Sequence, residues 1–402
     1  MRASTSRRLL LALSLALLPL AGPAQAPKSG GALHCRSPEQ RKKLLKEHGG
    51  SDESEKAVAA GLRWLALHQA RDGHWGLHDF NRHARTEPLP KGKVTGDRST
   101  PQTTRRNETA ATALALLPFL AAGFSHRAPA GAKAESYHRT VSAGLTWLLR
   151  QQYRAGKYRG GFSSEMYTNA LATQVVCEAY TLAPTAALKA SAQAALNFLV
   201  ASQHLAGGWR YNPGQQGDLS VTGFVVRALA AGKRAGLRVP AKTLKAVAKF
   251  IDSAECKKKG TFSYIPGKEP ARDTMTAVAW HCRHLLGVAA REEEWNAGVA
   301  VLLAQEKSTN LYLLYYATHA LFQRGGKDWE GWNQGEKGAS GVRDALVARQ
   351  DTGKAVPGNK GSWPGTDRGT DHVGGRLGAT SFALLTLQVY YSHPRQPAKP
   401  QD

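Results

Sequence analysis

The sequence is poor in cysteine and lacks long apolar runs, and both absences narrow the possible functions. Its four cysteines are too widely spaced for a Cys-x-x-Cys metal or redox motif: Cys35, Cys177, Cys256 and Cys282. Beyond the N-terminal leader, no segment has the roughly 18 uninterrupted apolar residues of a transmembrane helix. The strongly apolar segment Ala110–Phe124 is too short and contains Pro118. We therefore expect no membrane span in the mature chain, no metal and no cofactor.

Acidic residues are also scarce. The chain has 30 Asp and Glu against 54 Lys and Arg, which gives a net charge of +24. Such a surplus predicts attraction to anions or acidic surfaces. A basic surface that only keeps the protein soluble is an equally good interpretation. We expect no nucleic-acid partner.

The first 26 residues are typical of a secretory signal peptide. Arg2, Arg7 and Arg8 precede the apolar run Leu9–Leu20, and the small-x-small sequence Ala24–Ala26 follows it. The stretch SRRLLL also resembles a twin-arginine export signal, so the export route stays open. We expect a cleaved leader and an exported protein, periplasmic or extracellular. Residues 27–53 then form an N-terminal extension, 54–391 a single folded domain and 392–402 a disordered tail.

A nine-residue frame that ends on Gln or Glu recurs along the chain. Its starts are separated by 83, 51, 52, 51 and 44 residues, and its fifth position is always aliphatic. A period near 50 residues indicates a repeat architecture. The six copies are GLRWLALHQ (61–69), GLTWLLRQQ (144–152), ALNFLVASQ (195–203), VAKFIDSAE (247–255), GVAVLLAQE (298–306) and VRDALVARQ (342–350).

Each copy is followed by a second, more uniformly apolar run that is typical of a helix buried on most sides. These runs cover residues 108–123, 167–182, 218–232, 273–287, 310–325 and 378–391. The chain is therefore interpreted as six helical hairpins. We predict an all-α fold, a single (α/α)6 toroid with the apolar helices inside, because ring closure removes the need for polar end caps.

Two of the frames continue into a glutamine–glycine–tryptophan pattern: Gln69, Gly73 and Trp75, then Gln203, Gly207 and Trp209. Glycine can adopt a positive φ where the outer helix ends. The tryptophan is expected to cover the seam between hairpins, and the glutamine amide to pair with open backbone groups. The weaker versions are Gln152–Gly156–Tyr158, Glu255–Gly260–Phe262 and Gly361–Trp363. We interpret this pattern as architectural.

These residues resemble the QW-type repeats of squalene–hopene and oxidosqualene cyclases, whose α/α-toroid fold is shared by protein prenyltransferase β subunits. The resemblance rests on QARDGHW (69–75), QHLAGGW (203–209) and GSW (361–363), and spans about residues 54–391. It implies the toroid fold. It says little about activity, because one fold supports many functions.

The reactive motifs of such proteins are missing. The sequence has no Asp-x-Asp-Asp of triterpene cyclases, no Asp-Asp-x-x-Asp of metal-dependent terpene synthases and no Cys-Gly-Glu-Gln of complement-like thioester rings. The prenyltransferase zinc motif Asp-x-Cys aligns with Asp218-Leu219-Ser220, where serine replaces cysteine. If the ring is an enzyme, the candidate catalytic acids are Asp218 and Asp273, each at the start of an inner helix. A helix-capping role is the alternative for both.

The predicted site lies at the face where the inner helices begin. Two long loops, 70–107 and 351–377, are expected to meet there on ring closure, and this face is basic. The candidate ligand-binding residues are Glu108, Tyr167, Lys257, Lys258, Trp280, His281, Tyr312 and His319. Core packing is the alternative role for the aromatic residues and histidines.

Three functions remain open. The ring binds an anionic or isoprenoid-like ligand, or a protein partner, at a basic mouth; or it is a divergent terpenoid cyclase or prenyltransferase with an acid in its lumen; or it is a carbohydrate-active toroid. A lumen filled by side chains favours the first function. A dry cavity with a buried carboxyl favours the second, and two facing acids roughly 5–10 Å apart favour the third.

Overall fold

The computed structural model of the protein describes residues 37–77, 80–85, 107–128, 136–268, 270–289, 291–335, 339–365 and 374–392. The expected leader and the residues beyond Ser392 lie outside these ranges. The described residues form helices and loops without a β-strand. The fifteen α-helices are α1 Pro38–Glu47, α2 Asp52–Leu67, α3 Glu108–Ala121, α4 His138–Arg150, α5 Met166–Leu182, α6 Ala186–Ala201, α7 Leu219–Arg234, α8 Ala241–Ser253, α9 Asp273–Leu286, α10 Glu292–Leu303, α11 Leu311–Arg324, α12 Gly326–Gln334, α13 Val342–Ala348, α14 Gly375–Leu387 and α15 Val389–Ser392.

Six helical hairpins close into a ring. The inner helices contact one another in the order α3, α5, α7, α9, α11, α14, and α14 returns to α3. Their partners α2, α4, α6, α8, α10 and α13 lie outside. The inner helices are buried along nearly their whole length, whereas the outer helices bury one face. The predicted (α/α)6 toroid is confirmed, with the uniformly apolar helices innermost.

The repeated glutamine joins four of the hairpins to the next one, the second of them through Gln152 and the Ser191 carbonyl of α6. Gln69 Nε2 donates to the Gly73 carbonyl at 2.9 Å and to the Thr140 carbonyl of α4 at 2.9 Å. Gln203 does the same with Gly207 and Thr243 of α8. Gln350 bonds Gly361 and Ala57 of α2, which links the last hairpin to the first. The amide therefore satisfies two carbonyls at once, one on each side of a seam.

The glycine of the pattern allows a close approach of two backbones. Gly73, Gly207 and Gly361 all have positive φ, between 93° and 105°. A methyl group at Gly207 would overlap the Ala246 carbonyl oxygen of α8. Only glycine satisfies both the conformation and the distance. We call the glutamine and glycine together the hairpin clamp.

The tryptophan closes the end of its own outer helix. The indole N–H groups of Trp75, Trp209 and Trp363 donate to the carbonyls of Leu65, Leu199 and Leu346, each at 2.8 Å. These leucines are the aliphatic fifth position of the repeat. The three indoles are fully buried, as expected for an architectural role.

Two hairpins depart from the expected pattern. In the second, Gln152 bonds the carbonyl of Gly160 rather than Gly156, and Phe162 takes the place of the tryptophan. Gly156 also has positive φ, but open space surrounds it. In the fourth, Glu255 accepts from the Gly260 N–H instead of donating, because a carboxylate has no N–H. Gly260 and Phe262 occupy the predicted positions of the glycine and the tryptophan in this hairpin.

Two short helices reinforce the seam where the ring closes. Arg41 of α1 donates to the Ala122 carbonyl at the end of α3, to Glu55 of α2 and to Tyr391 of α15. Trp329 of α12 donates to the His48 carbonyl just after α1. Within the described residues, no helix is long and apolar enough to cross a membrane.

The hairpin clamp predicts a large stability difference between two glycines of one loop. Gly207→Ala is expected to lower the free energy of unfolding by at least about 3 kcal/mol, since positive φ and overlap with Ala246 both oppose a methyl group. Gly214→Ala is the control. Gly214 has φ +72° with nothing near it, so only the conformational cost of about 1 kcal/mol applies. Urea unfolding measures both. Equal losses would contradict the clamp.

Candidate functional site

The ring has two openings with different chemistry. The N-terminal mouth is the face where the inner helices begin, and it carries the loops that follow the outer helices. The C-terminal mouth is the opposite face, where the inner helices end. The described ends of the two long loops meet at the N-terminal mouth: Trp64 Nε1 donates to the Gly358 carbonyl, and Leu77 lies against Gly374. Residues 78–79, 86–106 and 366–373 of these loops lie outside the described ranges.

Four aromatic side chains fill the lumen below the N-terminal mouth. They are Phe224, Tyr312, Tyr316 and Phe382, and we call them the aromatic plug. The ring centroids of Phe224 and Tyr312 are 5.8 Å apart, and those of Tyr312 and Tyr316 are 4.9 Å apart. Phe382 closes the set at 5.8 Å from Tyr312. All four are buried, so the lumen holds packed rings at this level rather than a substrate cavity.

Asp218 caps the N-terminus of α7 and is fully buried. Its Oδ1 accepts from the Val221 N–H at 2.9 Å and from the Ser220 hydroxyl at 2.8 Å. Its Oδ2 accepts from the Tyr264 hydroxyl at 3.0 Å and lies 3.4 Å from Arg210 Nε. Burial raises the pKa of Asp218, and these hydrogen bonds oppose that rise. Both oxygens are engaged, as the capping role requires.

Two tyrosines extend this network toward the mouth. The Ser220 hydroxyl donates to Asp218, so the Tyr167 hydroxyl, 2.6 Å away, donates to Ser220. The Tyr211 hydroxyl donates in the same way to Tyr264, at 2.7 Å. All these protons point toward the carboxylate and stabilise its charged form. Tyr167 is therefore a structural neighbour of Asp218 and reaches the plug through Phe224, 5.3 Å away.

The other predicted mouth residues are spread around the rim. Asp273 is the first residue of α9 and is exposed. Glu108 is the first residue of α3 and lines a groove that is open to solvent, together with Arg150, Arg154 and Glu165. Lys257 and Lys258 are exposed in the loop between α8 and α9. The structure does not bring Asp273 and Asp218 together as a buried acid pair.

Trp280 belongs to the wall between two helices rather than to the lumen. Its indole N–H donates to the Gly260 carbonyl at 2.9 Å, and its ring meets that of Trp295 of α10 at 4.5 Å. A methyl group at Gly298 of α10 would collide with the indole. These contacts hold α9 against its outer neighbours.

His281 and His319 do meet in the lumen, beyond the aromatic plug. Their ring centroids are 5.2 Å apart, and that of Tyr315 is 4.5 Å from His319. Burial lowers the pKa of His319 to about 3, with the positive charge of Arg227 acting in the same direction. The pKa of His281 is also lowered well below its usual range, mainly by burial and then by His319. In the described part of the chain, no cluster of three or more His, Cys, Asp or Glu could hold a metal.

The charged residue at the centre of this region is Arg227, which the sequence analysis does not single out. It lies in the middle of α7 and is 3% exposed. Its guanidinium carbon is 4.5 Å from the ring centroid of Tyr315 and 5.5 Å from that of Phe224. The feature of the sequence that could have indicated Arg227 is a single arginine inside the otherwise apolar run DLSVTGFVVRALAAG.

Comparisons with known proteins support the fold. Residues 141–264 match the family described as the squalene-hopene cyclase N-terminal domain. No curated protein matches the chain. The type II terpene cyclase MstE from Scytonema, as a variant bound to merosterolic acid A, is similar in structure. It has a TM-score of 0.54 and 11% identity, over 85% of this chain and 98% of that one.

A carbohydrate-active enzyme is similar to the same degree. The GH76A α-1,6-mannanase from Salegentibacter has a TM-score of 0.54 and 9% identity, over 84% of this chain and 99% of that one. At these identities the likeness shows the fold alone. The resemblance to cyclase-type α/α toroids is thus confirmed as a structural one, and it extends equally to a glycoside hydrolase.

The buried histidines predict acid sensitivity. The folded protein binds protons at His319 far less readily than the unfolded chain, whose histidines have a pKa near 6.5. Stability is therefore fully present above about pH 6.5 and is lost as the pH falls toward 3, by up to about 1.4 kcal/mol per pH unit for this residue. His319→Gln is expected to reduce that slope in urea unfolding between pH 7 and pH 4.

Tyr315→Phe is the matched control, because it alters the same packing without removing a group that titrates in acid. Its slope should equal that of the unmodified protein. An unchanged slope in His319→Gln would mean that His319 takes up its proton at the same pH in the folded and the unfolded chain.

Proposed function

We propose that the protein is an exported, non-catalytic ring that docks an acidic protein partner on its N-terminal mouth. The observation that carries the proposal is the exposure of large apolar side chains. Within the described residues they are Tyr153, Leu205 and Tyr211, and all three lie in loops of this mouth. Exposed tyrosines beside arginines are typical of protein interfaces.

The charge of the mouth supports an acidic partner. The described loops carry many exposed basic side chains, whereas Asp72 and Asp273 are the exposed acids of the same loops and helix starts. The N-termini of the inner helices add partial positive charge on this face. The exposed basic residues are Arg71, Arg82, Arg85, Arg154, Lys157, Arg159, Lys257, Lys258, Lys259, Lys268, Arg272, Lys307, Lys354 and Lys360.

The aromatic plug favours a partner that stays on the surface. It closes the lumen directly below the mouth, so an isoprenoid-like ligand has no packed cavity to enter from this side. The groove beside Glu108 is wide and open to solvent, in contrast to the enclosed pockets that bind small molecules. A broad, charged and shallow surface suits a macromolecule.

The two enzymatic alternatives find less support. A cyclase acid must present a proton to an alkene, and both oxygens of Asp218 are engaged in hydrogen bonds. For the mannanase, an inactive variant has two adjacent aspartates replaced. This sequence contains no adjacent pair of aspartates. The resemblance in fold therefore extends to neither reactive group.

Charge neutralisation at the rim tests the proposal. The triple variant Lys257→Gln, Lys258→Gln, Lys259→Gln is expected to bind a soluble poly-glutamate probe about tenfold more weakly in 0.15 M salt, because three rim charges are lost. The control is Lys242→Gln, Lys245→Gln, Lys249→Gln on the exposed face of α8, which removes the same charge away from the mouth. Fluorescence titration measures both. Equal weakening would mean that only the overall charge matters.

A further inference from the structure

The second opening of the ring, the C-terminal mouth, leads to a buried arginine whose charge is compensated differently from that of the other buried arginines. The described chain has three buried arginines: Arg227, Arg283 and Arg376. Arg283 pairs with Asp252 at 2.7 Å and lies 3.6 Å from Glu294. Arg376 pairs with Asp351 at 3.2 Å and with the Ser362 hydroxyl at 2.8 Å. Arg227 forms no ion pair within the described residues.

The terminal nitrogens of Arg227 are buried and have no hydrogen bond of normal geometry to the described part of the chain, and the Tyr316 hydroxyl is the group near enough to interact with them. Three aromatic rings, those of Tyr315, Phe224 and Tyr316, lie within 5.8 Å of its guanidinium carbon. Cation–π contacts compensate part of the lost hydration but leave the N–H donors unused. A buried charge without an acceptor is costly, so the arrangement calls for an anion.

A cavity lies directly beside these donors. Gln174, Arg227 and His319 line its polar side, and Leu117, Leu120 and Leu385 line its apolar side. The free space between these side chains is small, with room for about one or two water molecules. That space suits a ligand of a few heavy atoms and excludes a chain segment. The lining divides it into a polar end and an apolar end.

The other charged groups around the cavity determine what charge a ligand needs in order to neutralise the site. Glu178 also lines the cavity, and its Oε1 accepts from Arg234 at 2.8 Å. This pair neutralises itself, and the neighbouring histidines are neutral because burial lowers their pKa. One positive charge is left, that of Arg227. Because Arg227 lies about two turns before the end of α7, the negative end of the helix dipole has little effect there.

We propose that the cavity at the C-terminal mouth binds a small monocarboxylate. Its carboxylate accepts hydrogen bonds from the Arg227 guanidinium, and a body no larger than a methyl group lies against Leu117, Leu120 and Leu385. The planar guanidinium presents two parallel N–H donors, which match the two oxygens of a carboxylate. This site is separated from the N-terminal mouth by the aromatic plug and is independent of the docking proposal.

The test uses the full chain without the expected leader and three probes: formate, acetate and benzoate, with sodium chloride at matched ionic strength as the background. Acetamide is the neutral counterpart of acetate, and benzoate is too large for the free space. Isothermal titration calorimetry is expected to give saturable one-site binding for formate or acetate and none for acetamide or benzoate. Arg227→Gln should weaken that binding at least tenfold. Arg227→Lys, which keeps the charge but loses the two parallel N–H donors, should retain part of the binding.

Arg283→Gln is the matched control, since it removes an equally buried arginine that already has carboxylate partners. It should lower thermal stability and leave carboxylate affinity unchanged. The rim variant at Lys257, Lys258 and Lys259 should also leave it unchanged, which separates this site from the mouth. Three results would overturn the proposal: no binding of formate or acetate, equal binding by Arg227→Gln, or equal binding of acetamide. Any of them would assign Arg227 to cation–π packing alone.

Discussion

The ring depends on one repeated interaction, in which the glutamine at the end of an outer helix bonds a carbonyl of the following hairpin. Gln350 makes the same bond to Ala57, so the last seam uses the chemistry of the first. Because each glycine lets two backbones approach closely, the angle between hairpins is set by backbone contact rather than by side chains that repack easily. Four of the six hairpins make this bond, and the contacts among the six inner helices bring α14 against α3. The clamp therefore supports the closure of the ring.

Closure leaves a narrow lumen, and the side chains of the inner helices decide what it contains. Near the N-terminal mouth the ring is filled by four aromatic residues, so helix starts such as Asp218 serve as caps rather than as walls of a substrate cavity. Farther along, the same helices bring His281, His319 and Arg227 together. The aromatic plug and the buried ionisable side chains thus lie at different depths of one lumen.

The repeat period and the apolar runs are enough to predict the six hairpins and which helix of each pair lies inside, because buried helices have a strongly apolar local sequence. The glycine predicted for the second hairpin is wrong, since Gly156 has the spacing of the other copies but the structure uses Gly160, four residues farther along, and both have positive φ. Only Gly160 approaches the next outer helix, and that contact is not visible in sequence. Trp280 was placed among ligand-binding residues because spacing does not show which side of an inner helix faces outward. Arg227 was missed because what distinguishes it is the lack of a partner, which only the folded structure reveals.

The aromatic plug is the one element that the two proposed sites share. Phe224 contacts Tyr167 on the side of the N-terminal mouth, and its ring also lies 5.5 Å from the Arg227 guanidinium. A substitution of Phe224 would remove a packing partner of the mouth and a cation–π partner of the cavity together. Variants of the plug therefore cannot separate docking from carboxylate binding, whereas Lys257 and Arg227 act on one site each. The geometry also means that a ligand at either end meets a floor of packed rings, so nothing passes through this ring from one face to the other.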